Sequence, residues 1–232
     1  MNREILKGIQ IGLFTSDKKL LEYTDSYKGL LIAVNAEKII NADRQMINII
    51  NKNLGYIDGI GPLWALKNKG YKDICKIPGC ELWLKIIKNS YICKSFYLLG
   101  AKEEVINATV CKLREEFPSI NICGYHNGFI DNENDYQDVI NEIKNLKPDI
   151  VFVAMGSPRQ EKFMAEALKH HEALYMGLGG SFDIYAGLTK RAPEWWLNHN
   201  LEFAYRLLSD PRRIKRQIHL VKFLWWILLN KI

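Results

Sequence analysis

Short apolar runs alternate along the chain with stretches of helical periodicity. The runs lie at 30–35, 95–100, 120–125, 149–156 and 173–180, and helical patterns lie between them at 102–117, 135–146 and 158–171. Uninterrupted apolar runs of this length are typical of strands that are buried on both faces of a parallel sheet. The alternation therefore predicts an α/β fold with a Rossmann-like, doubly wound, mostly parallel sheet, which binds ligands beyond the carboxyl ends of its strands.

The character of the chain changes near Ala192-Pro193, after which it is helical, aromatic and basic. A chain of 232 residues, 48% of them hydrophobic, is long enough for one well-buried domain and a short appendage. We predict a Rossmann-like core over 1–192 and a helical, basic appendage over 193–232.

Basic residues crowd the C-terminal end: from residue 186 to residue 232 there are nine Lys and Arg against three Asp and Glu, which equals the formal net charge of +6 of the whole chain. A basic segment can bind nucleic acid, acidic phospholipid or a phosphate-rich ligand, and its charge alone leaves all three open.

The apolar run that contains Trp225 and Trp226 is too short to span a bilayer, but tryptophans beside basic residues suit a membrane interface. We expect a peripheral contact with the inner face of the plasma membrane. The alternative is a terminal helix that docks on the core or on a second copy of the chain, so a homo-oligomer stays open. Because no other segment resembles a base-reading module, we do not expect nucleic acid as a partner.

The N-terminal residues 1–8 contain Lys and Arg but neither an apolar segment nor a small-residue cleavage site. We therefore expect the protein to stay in the cytoplasm. The cysteines form no CxxC pair, and their odd number leaves one unpaired in any disulfide scheme. This pattern favours reduced thiols.

The acidic segment 131–138 follows the spacing of a calcium loop. Tyr136, however, stands where that loop requires Gly, and Glu133 is longer than the usual Asp or Asn. We interpret the segment as an acidic helix start, and the histidines form no HExxH-type pair. We expect neither a metal ion nor a cofactor.

Two glycine-containing turns follow apolar runs. Gly156, Ser157 and Pro158 precede a helical pattern, which suggests that Ser157 caps the helix. The free backbone amides at this helix start would then meet an anion, and Gln160 would point from the first turn towards the ligand. The second turn contains Gly179 and Gly180, which suggests that the backbone there approaches another group closely or adopts positive φ. Neither turn matches the GxGxxG or GxxxxGK pattern, which argues against ordinary NAD or P-loop chemistry. A plain helix start and a plain turn are the alternatives.

Asp58 follows a short apolar strand and precedes Gly59, a flexible residue that leaves the carboxylate accessible. A carboxylate in this position could take the proton from a sugar hydroxyl, so Asp58 is our candidate general base. Asn35, at the end of another apolar run, is expected to line the same crevice. An Asp-Gly turn and a turn-closing Asn are the structural alternatives.

Taken together, several segments resemble the WecG/TagA/CpsF family, also called glycosyltransferase family 26, over nearly the whole chain. The segments are VNAEK, YIDGIGPLW, FYLLGAK, VAMGSPRQEKFM, ALYMGLGGSFDIYAG, KRAPEWW and LEFAYRLLSDPRRIKRQ. The resemblance implies a Rossmann-like fold and inverting, metal-independent transfer of an N-acetylmannosamine-type sugar from UDP to a polyprenyl-diphosphate-linked amino sugar.

By the same resemblance, Asp58 matches the proposed catalytic base of the family, and Asn35 and Gln160 match polar residues that position substrate. The resemblance also implies that appendage arginines close the site and meet the diphosphate in place of a metal. These arginines correspond here to Arg206, Arg213 and Arg216. Other expected substrate contacts in or beside matched motifs are Lys76, Gly156, Ser157, Gly179, Gly180, Asp183 and Arg191.

VNAEK and the tail motif resemble most the branch that transfers N-acetylmannosaminuronate in enterobacterial common antigen synthesis. Lys76 departs from the family, which often carries Arg there, and a Lys loses the planar fork that suits a carboxylate. The segments Gly61–Trp64 and Ser181–Asp183 look more like other branches. UDP-N-acetylmannosamine or another UDP-hexose, used for teichoic acid or capsule, is therefore the alternative donor. A non-catalytic, membrane-peripheral nucleotide-sugar-binding protein is the alternative from another class.

Overall fold

The computed structural model describes residues 2–130, 132–199, 201–209 and 214–229. Within them the strands are β1 (Arg3–Leu6), β2 (Ile9–Gly12), β3 (Gly29–Val34), β4 (Leu54–Ile57), β5 (Ser95–Gly100), β6 (Asn121–His126), β7 (Ile150–Ala154) and β8 (Leu174–Gly177). The helices of the same residues are α1 (Asp17–Thr24), α2 (Ala36–Asn41), α3 (Arg44–Asn51), α4 (Ile60–Asn68), α5 (Gly79–Ser90), α6 (Glu103–Glu116), α7 (Glu133–Leu146), α8 (Arg159–His170), α9 (Ser181–Tyr185), α10 (Glu194–Asn198), α11 (Glu202–Ser209) and α12 (Ile214–Leu228).

All eight strands belong to one sheet, in the order β1-β2-β4-β3-β8-β7-β5-β6. The pairings from β2 through β6 are parallel, and only β1 runs antiparallel to its neighbour. The predicted α/β, Rossmann-like, mostly parallel sheet is therefore confirmed. Because the parallel strands share one direction, their carboxyl ends lie along one edge of the sheet.

Side chains of the buried strands alternate between two hydrophobic clusters, one on each face of the sheet. On β3, Leu30 and Ile32 belong to one cluster, whereas Leu31 belongs to the other. Helices α2, α3, α4, α7 and α8 contribute to the first cluster, and α1, α5, α6 and α9 contribute to the second. Coverage on both faces explains why these strands appear in the sequence as uninterrupted apolar runs.

The β1–β2 hairpin at the edge of the sheet was not predicted. Its two-residue turn consists of Lys7 and Gly8, both with positive φ, the conformation that matches the twist of paired strands. Leu6, Ile9 and Ile11 are fully buried and anchor the hairpin to the first cluster.

The appendage packs against the core through α12. Phe223 is fully buried within the first cluster, and α12 contacts α2 and α4. Trp226 is partly buried against the same cluster, and the ammonium groups of Lys7 and Lys222 lie 4.6 and 5.2 Å from its ring centroid. One face of α12 is therefore attached to the core, as the docked-helix alternative anticipates.

Another face of α12 is open. Val221 and Trp225 are 67% and 62% exposed, and Leu229 follows one turn later, partly exposed. We call Val221 and Trp225, together with Leu229 directly after the helix, the exposed apolar stripe of α12. Within the described part of the chain, no helix is long and apolar enough to cross a membrane.

Candidate functional site

Asn35 and Asp58 lie side by side at the carboxyl edge of the sheet. They directly follow β3 and β4, which pair in parallel with Val34 opposite Ile57. The backbone N–H of Asp58 donates to the carbonyl of Val34 at 2.9 Å. Both side chains are half-buried. The structure thus brings the two residues together as the sequence predicts.

Asn35 also caps α2. Its side-chain Oδ1 accepts a hydrogen bond from the backbone N–H of Lys38 at 2.8 Å. This bond fixes the Asn35 side chain at the start of the helix. The turn-closing role that was the structural alternative for this residue is therefore observed, in a position that still borders Asp58.

The carboxylate of Asp58 is held by the start of α5. Its Oδ1 accepts from the backbone N–H of Gly79, with 3.4 Å between the two atoms. Pro78, the residue before this helix, supplies no side-chain cap. Asp58 takes over that task, and the positive end of the helix dipole attracts its negative charge.

Tyr56 lies beneath the same helix start. It is fully buried, and its hydroxyl has no hydrogen-bond partner among the described residues. Burial, together with the charges of Asp58 and Cys80, raises the pKa of Tyr56 well above its usual value. The phenol is therefore neutral, and it does not compete with Asp58 as a proton acceptor.

Arg191 reaches the first turn of α5 from the end of the predicted core. It forms an ion pair with Glu81, and its Nε is buried without a hydrogen-bond partner in the described chain. Glu81 also lies 3.8 Å from Lys85. Glu81 lies two residues after Gly79, whose N–H contacts Asp58, so the ion pair brings Arg191 close to the helix start.

Lys76 lies on the loop that leads into α5. It lines a cleft of about 250 Å³ together with Pro78, Glu81 and Lys85. The loop is tied to the sheet because the N–H of Ile77 donates to the carbonyl of Ile57, the residue before Asp58. Lys76 is therefore near the start of α5, on a loop fixed beside β4.

The loops that follow β7 and β8 each contain a glycine with positive φ. Gly156 and Gly179 have φ values of +76° and +57°, which L side chains rarely adopt. Nothing lies within 4 Å of the point where a Cβ would sit on either residue. Gly180 has an ordinary φ of −95°, and Asp183 follows it in the first turn of α9. Open space beside Gly156 and Gly179 lets a ligand approach their backbone.

Ser157 does not cap the helix that follows. The N-cap residue of α8 is Pro158, and no side chain caps this end. The helix consequently begins one residue later than predicted, and Ser157 lies between Gly156 and the helix. Because α8 starts without a capping side chain, its end can still meet an anion.

Gln160 lies inside the protein and connects the two glycine loops. Its side chain is 5% exposed. The amide oxygen accepts from the backbone N–H of Gly179 at 3.0 Å, and the amide nitrogen donates to Glu161 at 3.1 Å. A direct contact between Gln160 and substrate stays a prediction. In the structure, its observed task is to hold the β8 loop.

Glu161 and Lys38 complete this connection, and sequence reasoning missed both. They form an ion pair of 2.5 Å whose side chains are 1% and 7% exposed. Lys38 belongs to α2, the helix that Asn35 caps. We call Asn35, Asp58, Gly156, Gln160 and Gly179 the strand-end site. The buried pair joins its β3/β4 half to its β7/β8 half.

The predicted appendage arginines lie in α11, in α12 and outside the described residues. Arg213 lies outside the described residues, and Arg206 and Arg216 belong to α11 and α12, although their side chains are not described. Trp225 presents an exposed ring, whereas Trp226 packs against the core. Contact of either tryptophan with lipid stays a prediction, and Trp225 is the better placed of the two.

One family model matches the chain from residue 8 to residue 232, which is essentially its full length. It is described as the glycosyl transferase WecG/TagA/CpsF family. The match includes all parts of the strand-end site and the appendage. The chain belongs to the WecG/TagA/CpsF family of glycosyltransferases.

Proposed function

We propose that this chain is an inverting, metal-independent glycosyltransferase that moves an N-acetylmannosamine-type sugar from UDP to a polyprenyl-diphosphate-linked GlcNAc. Family membership implies the coarser part, a glycosyltransferase of cell-surface polysaccharide synthesis that uses a nucleotide-sugar donor and a lipid-linked acceptor. The observation that carries the finer proposal is Asp58, held by the start of α5 beside Asn35.

Asp58 acts as the general base in this proposal. Its carboxylate takes the proton from the acceptor hydroxyl as the hydroxyl oxygen bonds to the anomeric carbon of the donor. The bond between that carbon and the phosphate oxygen breaks, and UDP leaves with the electron pair. Attack from the face opposite the leaving group inverts the anomeric centre. The hydrogen bond from Gly79 orients the carboxylate for this step.

The β7/β8 half binds the donor. The uncapped start of α8 and the open backbone at Gly156 and Gly179 suit phosphate oxygens. The negative charge of the leaving diphosphate would be stabilised by the appendage arginines that the family resemblance implies, rather than by a metal. We include Ser157, Gly180 and Asp183 among the residues that border the donor.

N-acetylmannosaminuronate is the favoured sugar. This proposal rests on the VNAEK and tail segments, and Lys76 or Arg191 would supply the cation for the donor carboxylate. N-acetylmannosamine, for teichoic acid or capsule, is the alternative. The two donors differ in charge at C6, so a donor comparison separates them.

We propose that the exposed apolar stripe of α12 contacts the membrane that contains the acceptor. Val221, Trp225 and Leu229 face outward, and basic residues accompany them in the appendage. A peripheral contact of this kind lets a lipid-linked substrate reach the strand-end site from the bilayer.

The test is a UDP-release assay with purified enzyme, GlcNAc-diphospholipid in vesicles and each UDP-sugar in turn, in the presence of EDTA. We expect acceptor-dependent UDP release, fastest with UDP-N-acetylmannosaminuronate. Activity that EDTA abolishes and Mg²⁺ restores would contradict the metal-independent mechanism. Donor binding without UDP release would instead indicate a non-catalytic nucleotide-sugar-binding protein.

A further inference from the structure

The buried ion pair between Lys38 and Glu161 has a specific relation to Gln160. The carboxylate oxygen that accepts from Lys38, Oε1, also accepts from the Gln160 amide nitrogen at 3.1 Å. An ionised carboxylate can only accept hydrogen bonds. Gln160 must therefore turn its NH₂ group towards Glu161.

The contact with Glu161 also fixes the position of the Gln160 side-chain oxygen. With its nitrogen directed to Glu161, its oxygen faces the backbone N–H of Gly179 and accepts from it at 3.0 Å. Gly177 allows this arrangement, because a Cβ at that position would lie 2.5 Å from the Gln160 amide nitrogen. The orientation of one carboxamide thereby sets the direction of the Gly179 amide.

Stability alone does not account for this pair. Withdrawing two charges from water costs several kcal/mol per ion, and apolar replacements of buried pairs are often as stable. Glu161 Oε2 is also buried without a hydrogen-bond partner among the described residues. An arrangement with this cost is better explained by what it orients.

We propose that Lys38 and Glu161 are positioning residues for donor binding. Lys38 holds the Glu161 carboxylate through their ion pair, Glu161 orients Gln160, and Gln160 holds the β8 loop at Gly179 in its donor-binding conformation. Neither residue of the pair touches substrate. The inference rests on the proposed function in placing the donor at the β7/β8 half, but the orientation itself can be tested without a donor.

The decisive variant is the double substitution Lys38→Met with Glu161→Gln. Each single change leaves one buried charge without its partner and is expected to lower the melting temperature. The double variant removes both charges, so its melting temperature should recover. The neutral amide that replaces the Glu161 carboxylate can either donate or accept, so it no longer imposes one orientation on Gln160.

Donor binding should therefore remain impaired in the stable double variant. We expect its donor KM to rise about tenfold, the effect of one misdirected hydrogen bond, with kcat at saturating donor within about threefold of wild type. The matched control is Glu166→Gln, which breaks a more exposed ion pair with Lys169 on the same helix and should change neither constant. Recovery of donor KM together with the melting temperature would overturn the proposal, because the pair would then be merely structural.

A second measurement needs no substrate. Hydrogen exchange of the segment around Gly179 should be faster in the double variant than in wild type and in Glu166→Gln, because the N–H of Gly179 loses its fixed acceptor. Unchanged exchange would overturn the inference even if the enzyme is active. If wild type releases no UDP from any donor, the proposed function fails while the exchange result still decides the orientation.

Discussion

The two halves of the strand-end site differ in what they present to a ligand. The β3/β4 half presents side chains, Asp58 and Asn35, each held by a helix start. The β7/β8 half presents backbone, because Gly156 and Gly179 adopt positive φ beside open space and the nearby Gln160 side chain is turned inward. A proton can be taken only by a group that titrates, whereas phosphate oxygens can be bound by amides. We infer that the first half performs the reaction and the second binds the donor.

The largest effect is expected for Asp58→Asn, which keeps the shape of the side chain but removes the base. We predict that kcat falls by about 10²–10⁴-fold, the usual contribution of a positioned general base, while UDP affinity changes little. Steady-state UDP release and calorimetric UDP binding measure the two quantities. Asp138→Asn, an exposed carboxylate on α7, is the control and should leave both unchanged. A weaker UDP affinity with unaltered kcat would assign Asp58 to binding instead.

A smaller effect, on donor KM and not on kcat, is expected for Gly179→Ala. Its φ of +57° costs an L residue about 1–2 kcal/mol, so the loop should shift and donor KM should rise by about tenfold. The kcat at saturating donor should stay near that of wild type. Gly70→Ala introduces at least as much strain, at φ +99° beside open space in a surface loop after α4, and should lower stability without changing KM. Equal KM values in the two variants would remove Gly179 from the donor site.

The smallest effect is expected in the appendage. Its exposed apolar stripe on α12 is a surface separate from the two halves of the strand-end site. Trp225→Ala should weaken binding to anionic vesicles by about three- to tenfold, in proportion to the apolar area lost. Trp226→Ala should instead lower the melting temperature, because its ring contacts the core and lies under Lys7 and Lys222. Vesicle flotation and thermal unfolding separate the two outcomes. Vesicle binding that depends on Trp226 and not on Trp225 would reverse this assignment of faces.

The sequence predicts the parts of the site that directly follow strands. Asp58, Asn35 and the glycine loops stand after apolar runs, and parallel strands bring such positions to one edge. The pair Lys38 and Glu161 could not be predicted in this way, because a charged residue on a helix is usually solvated and nothing local marks a partner 123 residues away.

Two other features of the structure do have a local signal in the sequence. The residues before and after Lys7-Gly8 alternate weakly between apolar and polar, which is the pattern of a two-residue hairpin. Adjacent residues on a helix point about 100° apart, so Trp225 and Trp226 face different surroundings once the helix docks. In the structure one ring is exposed and the other is packed against the core.

The most direct test of the account is the rate of UDP release at saturating donor, measured on addition of the lipid-linked acceptor to wild type, Gly179→Ala and Asp58→Asn. We predict that Gly179→Ala recovers to within about threefold of wild type, since excess donor compensates for weakened binding, whereas Asp58→Asn stays at least about 10²-fold slower. A rate near that of wild type for Asp58→Asn would contradict the central claim that this carboxylate is the base.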